Sequence, residues 1–324
     1  MTEGIKMIRE MQVNSSQKVT LLLKDFAIRQ TKALKDYLWA IFTDGVEDIQ
    51  AQDWDWQSNP SLLSGQKLEK GMVYDIAGQV TEYNGSKQMK LVRMEKSEVE
   101  PLVFAPQGGV VLEDYEARLK HHLDMLKGAN KYLYEVVYCI INDNYKLFTE
   151  IPAAMGMHHA YVHGLLKHSV DVTEKAVFIA NTSPGADMAL VRAGALIHDI
   201  GKVRTYELNG ALIDMTEEGQ FVEHIMLGAM MLDKYRTKEN SKVVDLLLHI
   251  ISSHHGKREY GSPTPPRMLE AMIVSAADGI DASTATVMEV INRTPKNSEW
   301  TEKIWSQNNL PFMTTDAVQS RLKV

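Results

Sequence analysis

The residues of this sequence best suited to chemistry are His168, His198, Asp199, His224, His254, His255 and Asp278. His168 falls in line with Tyr161, Leu165 and Val172, and His198 follows Met188, Val191 and Ala195 at steps of three and four, the spacing of one helix face. His224 shares a predicted face with Phe221 and Gly228, His254 follows Leu247 and Ile251, and Asp278 follows Ala271 and Val274. One such residue alone reads as an ordinary hydrogen-bonded core group. Helices that each drive an imidazole or carboxylate into a shared interior need a common partner, and divalent metal ions satisfy such clusters. The pair His198-Asp199 stands just before Gly201, where a helix ends and two consecutive side chains can turn toward one ion.

The order His168, His198-Asp199, His224, His254-His255 and Asp278 resembles the HD-domain metal-dependent phosphohydrolases, in the form that holds two metals. The segments HHAYVHGLLKH (158–168), LIHDIGK (196–202), EHIMLG (223–228), ISSHHGKREYGSPTPP (251–266) and ADGIDA (277–282) resemble the YhaM-type 3′-to-5′ exoribonucleases, in which an OB fold precedes an HD domain. Over the N-terminal region the resemblance rests on DGVEDI and AGQVTEYNGSKQMKL.

The resemblance implies that His168, His198, Asp199 and Asp278 hold one metal, with Asp199 bridging to a second held by His224 and His254. His255 replaces or joins His254 in this reading. A His-rich, carboxylate-bridged site favours manganese, then iron or cobalt, over magnesium. Two divalent ions would leave the site net positive, draw in a phosphodiester and acidify a shared water until its hydroxide attacks phosphorus near neutral pH. Asp199 and Lys202 are the expected catalytic residues, Lys202 as a holder of the transferring phosphate or as an ordinary helix-end lysine. Lys257, Arg258 and Arg267 are candidate substrate contacts beside the His pair, with Tyr260 in a wall for the terminal nucleotide. Asp281 is either an anchor for a ligand histidine or a structural cap. His163 stands where the family pattern has a second glycine before Gly164, and adds an imidazole that could join the ligands or alter access.

These residues need elements to position them. Up to Pro101 the chain alternates in short β-rich runs, Val19–Lys24, Tyr37–Thr43, Ile49–Trp54, Val73–Tyr83 and Gln88–Met94, with turn signals at Asp44-Gly45 and Asn84-Gly85. This predicts a small OB-type β-barrel over residues 1–100. A Pro- and Gly-containing linker follows at 101–112, and an all-α HD domain at 113–324, a multidomain α and β protein. Predicted helices run over Glu113–Lys127, Lys131–Phe148, Met157–Asn181, Asp187–Ile200, Glu217–Tyr235, Ser241–His255 and Pro266–Met288.

In the barrel, Lys18 to Lys35 is a basic tract and Asp44 to Asp55 an acidic one, so one edge is expected to attract a phosphate backbone. Lys24, Arg29, Lys32, Trp39, Tyr83 and Lys87 are the candidate nucleic-acid contacts, with Trp54, Trp56 and Tyr74 as further aromatic surfaces. Asp53 replaces an expected apolar strand residue.

The 324 residues carry a formal charge of −7, which argues weakly against nucleic-acid binding, and the single cysteine, Cys139, excludes a disulfide framework and a cysteine-clustered zinc site. It fits a reducing, cytoplasmic setting. No secretory leader or membrane-length apolar run is visible. The activity that the resemblance implies is release of 5′-mononucleotides from the 3′ end of single-stranded RNA, with single-stranded DNA as a further substrate. The alternatives are hydrolysis of cyclic dinucleotides or nucleotides by the same metal site, and a catalytically silent nucleic-acid-binding protein. A homo-oligomer is compatible with the amphipathic segment after Trp300.

Overall fold

Five strands form where alternation predicts them: β1 Ser15–Gln30, β2 Asp36–Thr43, β3 Asp48–Asp53, β4 Val73–Tyr83 and β5 Ser86–Lys96. The structure is a computed structural model and describes residues 7–55, 67–106, 108–155 and 159–322. The strands close into a barrel in the order β1-β2-β3-β5-β4, with β1 also paired to β4 and with β3 parallel to β5. This is the OB-type arrangement expected from the sequence. Strand β1 pairs with β4 over Ser15–Leu22 and with β2 from Leu22 to Gln30, with a register shift in the β2 pairing between Leu23 and Asp25. The bulge bends the strand around the barrel. Leu21, Leu23, Leu38, Ala40, Phe42, Ile49, Ala51, Ile76, Val80 and Met89 fill the interior. In the turn after β2, Asp44 accepts the backbone N–H of Val46 and Glu47 on Oδ1 and that of Ile8 on Oδ2, and Gly45 takes the left-handed conformation.

The chain clusters into two units, Met1–Gln107 with Leu208–Asp214, and Gly108–Glu207 with Met215–Val324. The return of 208–214 to the first unit differs from the contiguous division expected from the sequence. Within the first unit Gly210 lies tightly against Gly71, where a Cβ on Gly210 would be 1.9 Å from the Gly71 carbonyl oxygen. Such tight approaches leave no hydrophobic pattern to read.

The second unit is built from α1 Leu112–Ala129, α2 Lys131–Asp143, α3 Tyr145–Glu150, α4 Gly164–Asn181, α5 Met188–Ile197, α6 Lys202–Thr205, α7 Glu217–Asp233, α8 Ser241–Ser253, α9 Leu269–Arg293 and α10 Thr315–Leu322. Three features depart from the expectation. The predicted helix 131–148 breaks at Asn144, which separates α2 from α3. Helix α4 starts at Gly164 rather than Met157, because His159 and His163 both take left-handed backbone conformations. A short hairpin, β6 Tyr206–Asn209 and β7 Leu212–Met215, interrupts the helices. A single apolar core runs through α1–α9, with Leu165, Leu166, Val191, Leu196, Ile197, Leu247, Ile251 and Val274 among its buried members. These lie beside the residues of the site, so one packing event fixes both. Among the described residues no helix is long and apolar enough to cross a membrane. Trp56 and His158 lie outside the described residues.

Candidate metal centre

Two of the site histidines sit at helix C-termini for a physical reason. The last carbonyls of a helix have no partner in the helix. His198 caps α5 and donates Nδ1–H to Ala195 O at 2.8 Å, and His254 caps α8 and donates Nδ1–H to Ile251 O at 2.8 Å. His255 likewise gives Nδ1–H to Tyr260 O at 2.8 Å, and His168 gives its own to Asp281 Oδ2 at 2.7 Å. In each ring the Nδ1 bond selects the tautomer and leaves Nε2 to face other groups.

Those Nε2 atoms converge. The Nε2 of His168 lies 3.2 Å from Asp278 Oδ1, 3.3 Å from Asp199 Oδ2 and 3.2 Å from His198 Nε2. The Nε2 of His198 lies 3.4 Å from Asp199 Oδ2. The other oxygen of Asp199, Oδ1, lies 3.5 Å from His224 Nε2 and 3.4 Å from His254 Nε2. His224, His254 and His255 form a second group with donor atoms within 4.8 Å of one another. Asp199 thus faces one donor set with each oxygen.

The donor set fits a metal ion on an observation independent of its composition. Asp199 Oδ1, His224 Nε2 and His254 Nε2 are buried and have no hydrogen-bond partner among the described residues. Orphaned buried polar atoms are costly, and here they point at one another. An ion would be ligated by all three.

The charges of the cluster are mutually adjusted. Burial opposes ionisation of Asp199, yet Lys202, His198 and His168 hold its carboxyl well below the usual range. Burial also opposes protonation of His168, but its bonds to Asp199, Asp278 and Asp281 outweigh it and push its pKa well up. Asp278 is likewise lowered against its burial, chiefly by its bond to His168 and the charge of His198. His224 moves the other way, down to about 3, because it is buried with only Asp199 to favour its charge.

His224 reaches the cluster through an irregular helix. Glu223, inside α7, has φ 61 and ψ 161 instead of helical values. That conformation costs a side-chain-bearing residue about 1–3 kcal/mol. The kink breaks the predicted common face of His224 with Phe221, which is 80% exposed. Beyond it, the backbone of α7 presses onto Gly201, where a Cβ would lie 1.9 Å from His224 O and 2.5 Å from Gly228 N. Only glycine fits there, and this crossing brings His224 to Asp199.

Other predicted residues take different places. Lys202 is largely buried, with Nζ 2.5 Å from Asp199 Oδ2. His163 caps α4 with φ 68, the conformation a glycine would take without cost, and its Nδ1 bonds Thr149 O at 2.6 Å. It joins none of the potential metal groups found among the described residues. Asp281 anchors His168. Lys257 pairs with Glu259 at 3.3 Å and lies over the Tyr260 ring, and Arg258 begins the turn carrying Tyr260. Arg267 donates its backbone N–H to His249 Nε2. Sequence reasoning missed His159, buried against Asp281 at 2.8 Å, and Lys175, 2.7 Å from the same carboxylate. Lys175 follows His168 by seven residues, two turns along one face, which is the signal that could have found it.

In the barrel two lysines of the expected basic edge are ion-paired with the acidic tract, Lys24 with Asp48 at 2.7 Å and Lys35 with Asp55 at 2.6 Å. Asp25, the acidic residue within the basic tract, pairs with Lys70 at 2.5 Å. Lys87 donates to Ile8 O and Arg9 O, so it ties down the chain N-terminal to β1. Arg29 stacks its guanidinium 3.6 Å over the Trp39 ring, and Tyr37 stacks on Trp54 with centroids 4.4 Å apart. Tyr74 is buried in the barrel core, while Tyr83 is exposed beside the β4–β5 turn that follows it. Lys32 lies in the exposed turn between β1 and β2. Asp53 is buried, accepts Asp55 N–H, and has its carboxyl pKa pushed up by that burial.

Residues 165–283 match the HD domain family, a range that contains His168, His198, Asp199, His224, His254, His255, Asp278 and Asp281. An HD domain of this kind indicates a metal-dependent phosphohydrolase. Among solved structures, the chain is similar to a domain of replication protein A from Methanococcus maripaludis, with 14% identity over 28% of this chain and 92% of that one and a TM-score of 0.23. The solution structure of the second OB-fold domain of that protein matches 29% of this chain and 95% of its own, at 14% identity and a TM-score of 0.23. Asparaginyl-tRNA synthetase of Entamoeba histolytica matches 47% of this chain and 38% of its own, at 14% identity and a TM-score of 0.22.

Proposed function

We propose that this protein is a 3′-to-5′ exonuclease of the cytoplasm that releases 5′-mononucleotides from single-stranded RNA, and from single-stranded DNA as a second substrate. The observation that carries the reading is Asp199, a buried carboxylate whose two oxygens face two separate imidazole-rich donor sets. His168, His198, Asp278 and Asp199 Oδ2 would hold one divalent ion, and His224, His254, His255 and Asp199 Oδ1 a second, with manganese the first choice for this donor chemistry. Bound there, the ions supply a water acidified for attack on phosphorus and positive charge for the phosphoryl oxygens.

The protein's own groups do the rest. The Nδ1 bonds of His168, His198, His254 and His255 fix four rings before any ligand arrives, so little reorganisation is left. Lys202 balances Asp199, and once that charge is matched by ions its ammonium is available for a phosphate oxygen. No side chain is required as nucleophile. On the barrel, the Arg29–Trp39 and Tyr37–Trp54 stacks offer flat surfaces for unpaired bases, where each base contributes about 1–3 kcal/mol. Stacking favours single strands and is indifferent to base identity.

The test is digestion of 5′-labelled single-stranded RNA and DNA across Mn²⁺, Fe²⁺, Co²⁺ and Mg²⁺, with a cyclic dinucleotide in parallel. Stepwise shortening from the 3′ end is the expected result. Persistence of full-length strands with every metal would overturn the reading, and turnover of the cyclic dinucleotide alone would move the same site to a different substrate.

A further inference from the structure

We propose that Asp281, His159 and Tyr161, with Lys175, form a positioning relay behind His168 that fixes the donor atom His168 presents to the metal centre. The inference rests on the metal-site reading above and deepens it, since none of these four residues faces the converging Nε2 atoms.

Asp281 is 3% exposed and lies on α9 three residues beyond Asp278, so one helix turn carries both a ligand and the group behind the opposite ligand. Its Oδ2 faces His168 Nδ1 at 2.7 Å and His159 Nε2 at 2.8 Å, and its Oδ1 accepts from Lys175 Nζ at 2.7 Å. An ionised carboxylate only accepts, so both ring nitrogens facing it carry protons. His168 is thereby left with Nε2 toward His198, Asp199 and Asp278.

The assignment continues outward. A neutral imidazole has one N–H. With Nε2–H on Asp281, His159 Nδ1 must accept, and Tyr161 Oη stands 2.6 Å away to donate. The hydrogen bonds from Tyr161 through His159 to Asp281 therefore run in one direction. The backbone holds this arrangement in place. His159 has φ 60, its carbonyl accepts Ala153 N–H at 3.0 Å, and that carbonyl occupies the space where a Cβ on Gly164 would be, 2.1 Å away. The left-handed conformation is costly for a non-glycine residue and is retained here beside the carboxylate cluster.

His159, His168 and Asp281 are close enough to be considered as an ion site in their own right. The donor assignment argues otherwise, because the two nitrogens that would bind the ion are the ones protonated toward the carboxylate. An anchoring carboxylate of this kind is worth about 10–100-fold in metal affinity.

The experiment measures Mn²⁺ affinity by chelator competition for the full-length wild type, Asp281→Asn, His159→Ala and His159→Gln, with melting temperatures alongside, and records histidine ¹⁵N spectra of the Zn²⁺-loaded forms. Asp281→Asn should weaken Mn²⁺ binding about 10–100-fold and shift the His168 Nδ1 resonance. His159→Ala should weaken binding about tenfold, and His159→Gln, whose amide N–H replaces Nε2–H on Asp281, should restore it to within about threefold of wild type. A folded Asp281→Asn with wild-type affinity and an unmoved His168 resonance would overturn the relay. So would equal losses in His159→Gln and His159→Ala, or a third bound ion per chain that Asp281→Asn removes. If Asp281→Asn does not fold, the two His159 variants decide. If the wild type binds no metal at all, the metal-site reading fails, and hydrogen-bonded ring protons on His159 Nε2 and His168 Nδ1, present or absent in the metal-free spectrum, still decide the relay.

Discussion

The Nε2 atoms of His168 and His198 face each other at 3.2 Å, although the Nδ1 of each is committed elsewhere, to Asp281 and to Ala195 O. Two imidazole lone pairs repel at that distance unless a proton or a cation lies between them. Asp199, Asp278 and Asp281 push the His168 pKa well up against its burial, so a proton on its Nε2 would relieve the contact. A divalent ion satisfies the same geometry without it.

Removing either side of this arrangement should therefore remove the ion. His198→Ala and Asp199→Asn are expected to lower nuclease activity at least about 10³-fold and to reduce bound metal to less than half the wild-type content, while circular dichroism stays unchanged. Elemental analysis of the purified variants checks the second point. Wild-type metal content in an inactive Asp199→Asn would contradict the assignment.

Metal removal should also be visible without a substrate. At a free Mn²⁺ concentration 100 times its dissociation constant, a site absent from the unfolded chain adds about 2.7 kcal/mol, which is a few degrees of melting temperature for a protein of this size. A thermal scan with added Mn²⁺ against one with chelator reads this directly. Coincident transitions would mean that the donor sets bind nothing in the folded state.

Lys202→Met separates two roles. The lysine competes with an ion for Asp199 Oδ2, so its loss should leave Mn²⁺ affinity equal or tighter. If its ammonium also holds a phosphate oxygen during turnover, kcat should fall about 10²-fold. Paired measurements of affinity and kcat decide, and weakened metal binding would show that Lys202 supports the site rather than competes in it.

On the barrel, Trp39→Ala and Trp54→Ala should each raise the KM for an oligonucleotide about tenfold, in line with about 1–3 kcal/mol per stacked base. Hydrolysis of a small phosphodiester such as bis-p-nitrophenyl phosphate should be unaffected. Lys24→Ala should change little, because its charge is already spent on Asp48.

A pH dependence follows from His122, which is buried on α1 against Arg192, with Glu174, Arg118 and His121 as the other charged or titratable neighbours. Burial and the Arg192 charge lower its pKa from 6.5 to about 4. The unfolded chain thus binds the extra proton between those values, and stability is complete above pH 6.5 and declines as pH falls toward 4. The span corresponds to roughly 3 kcal/mol. Urea midpoints at pH 7.5 and pH 5 should differ less in His122→Gln, which keeps an acceptor for Arg192, than in the wild type. An identical difference would place the acid sensitivity elsewhere.

Periodicity sufficed for much of this molecule. The strand runs from Val19 to Met94 and the stripes carrying His168, His198, His254 and Asp278 follow patterns of two and of three to four, and the core reads them the same way. What escaped are features with no periodic signal. The kink at Glu223 and the left-handed His159 and His163 are backbone events that side-chain patterns do not encode. The basic and acidic tracts of the barrel look like separate edges along the chain, and only the folded barrel brings Lys24 to Asp48 and Lys35 to Asp55. Asp281 was legible as a polar residue one turn from a ligand, but its partner His159, in a loop, was not.

The crossing of Gly201 over α7 has a consequence for how His224 meets Asp199. Two backbones in contact, with His224 O and Gly228 N where a Cβ would be, cannot be pushed apart by changing a rotamer. The spacing between α7 and the chain that follows Asp199 is therefore set by atomic radii, like the jaws of a fixed spanner. A single methyl group at position 201 would force those jaws open and draw His224 away from Asp199.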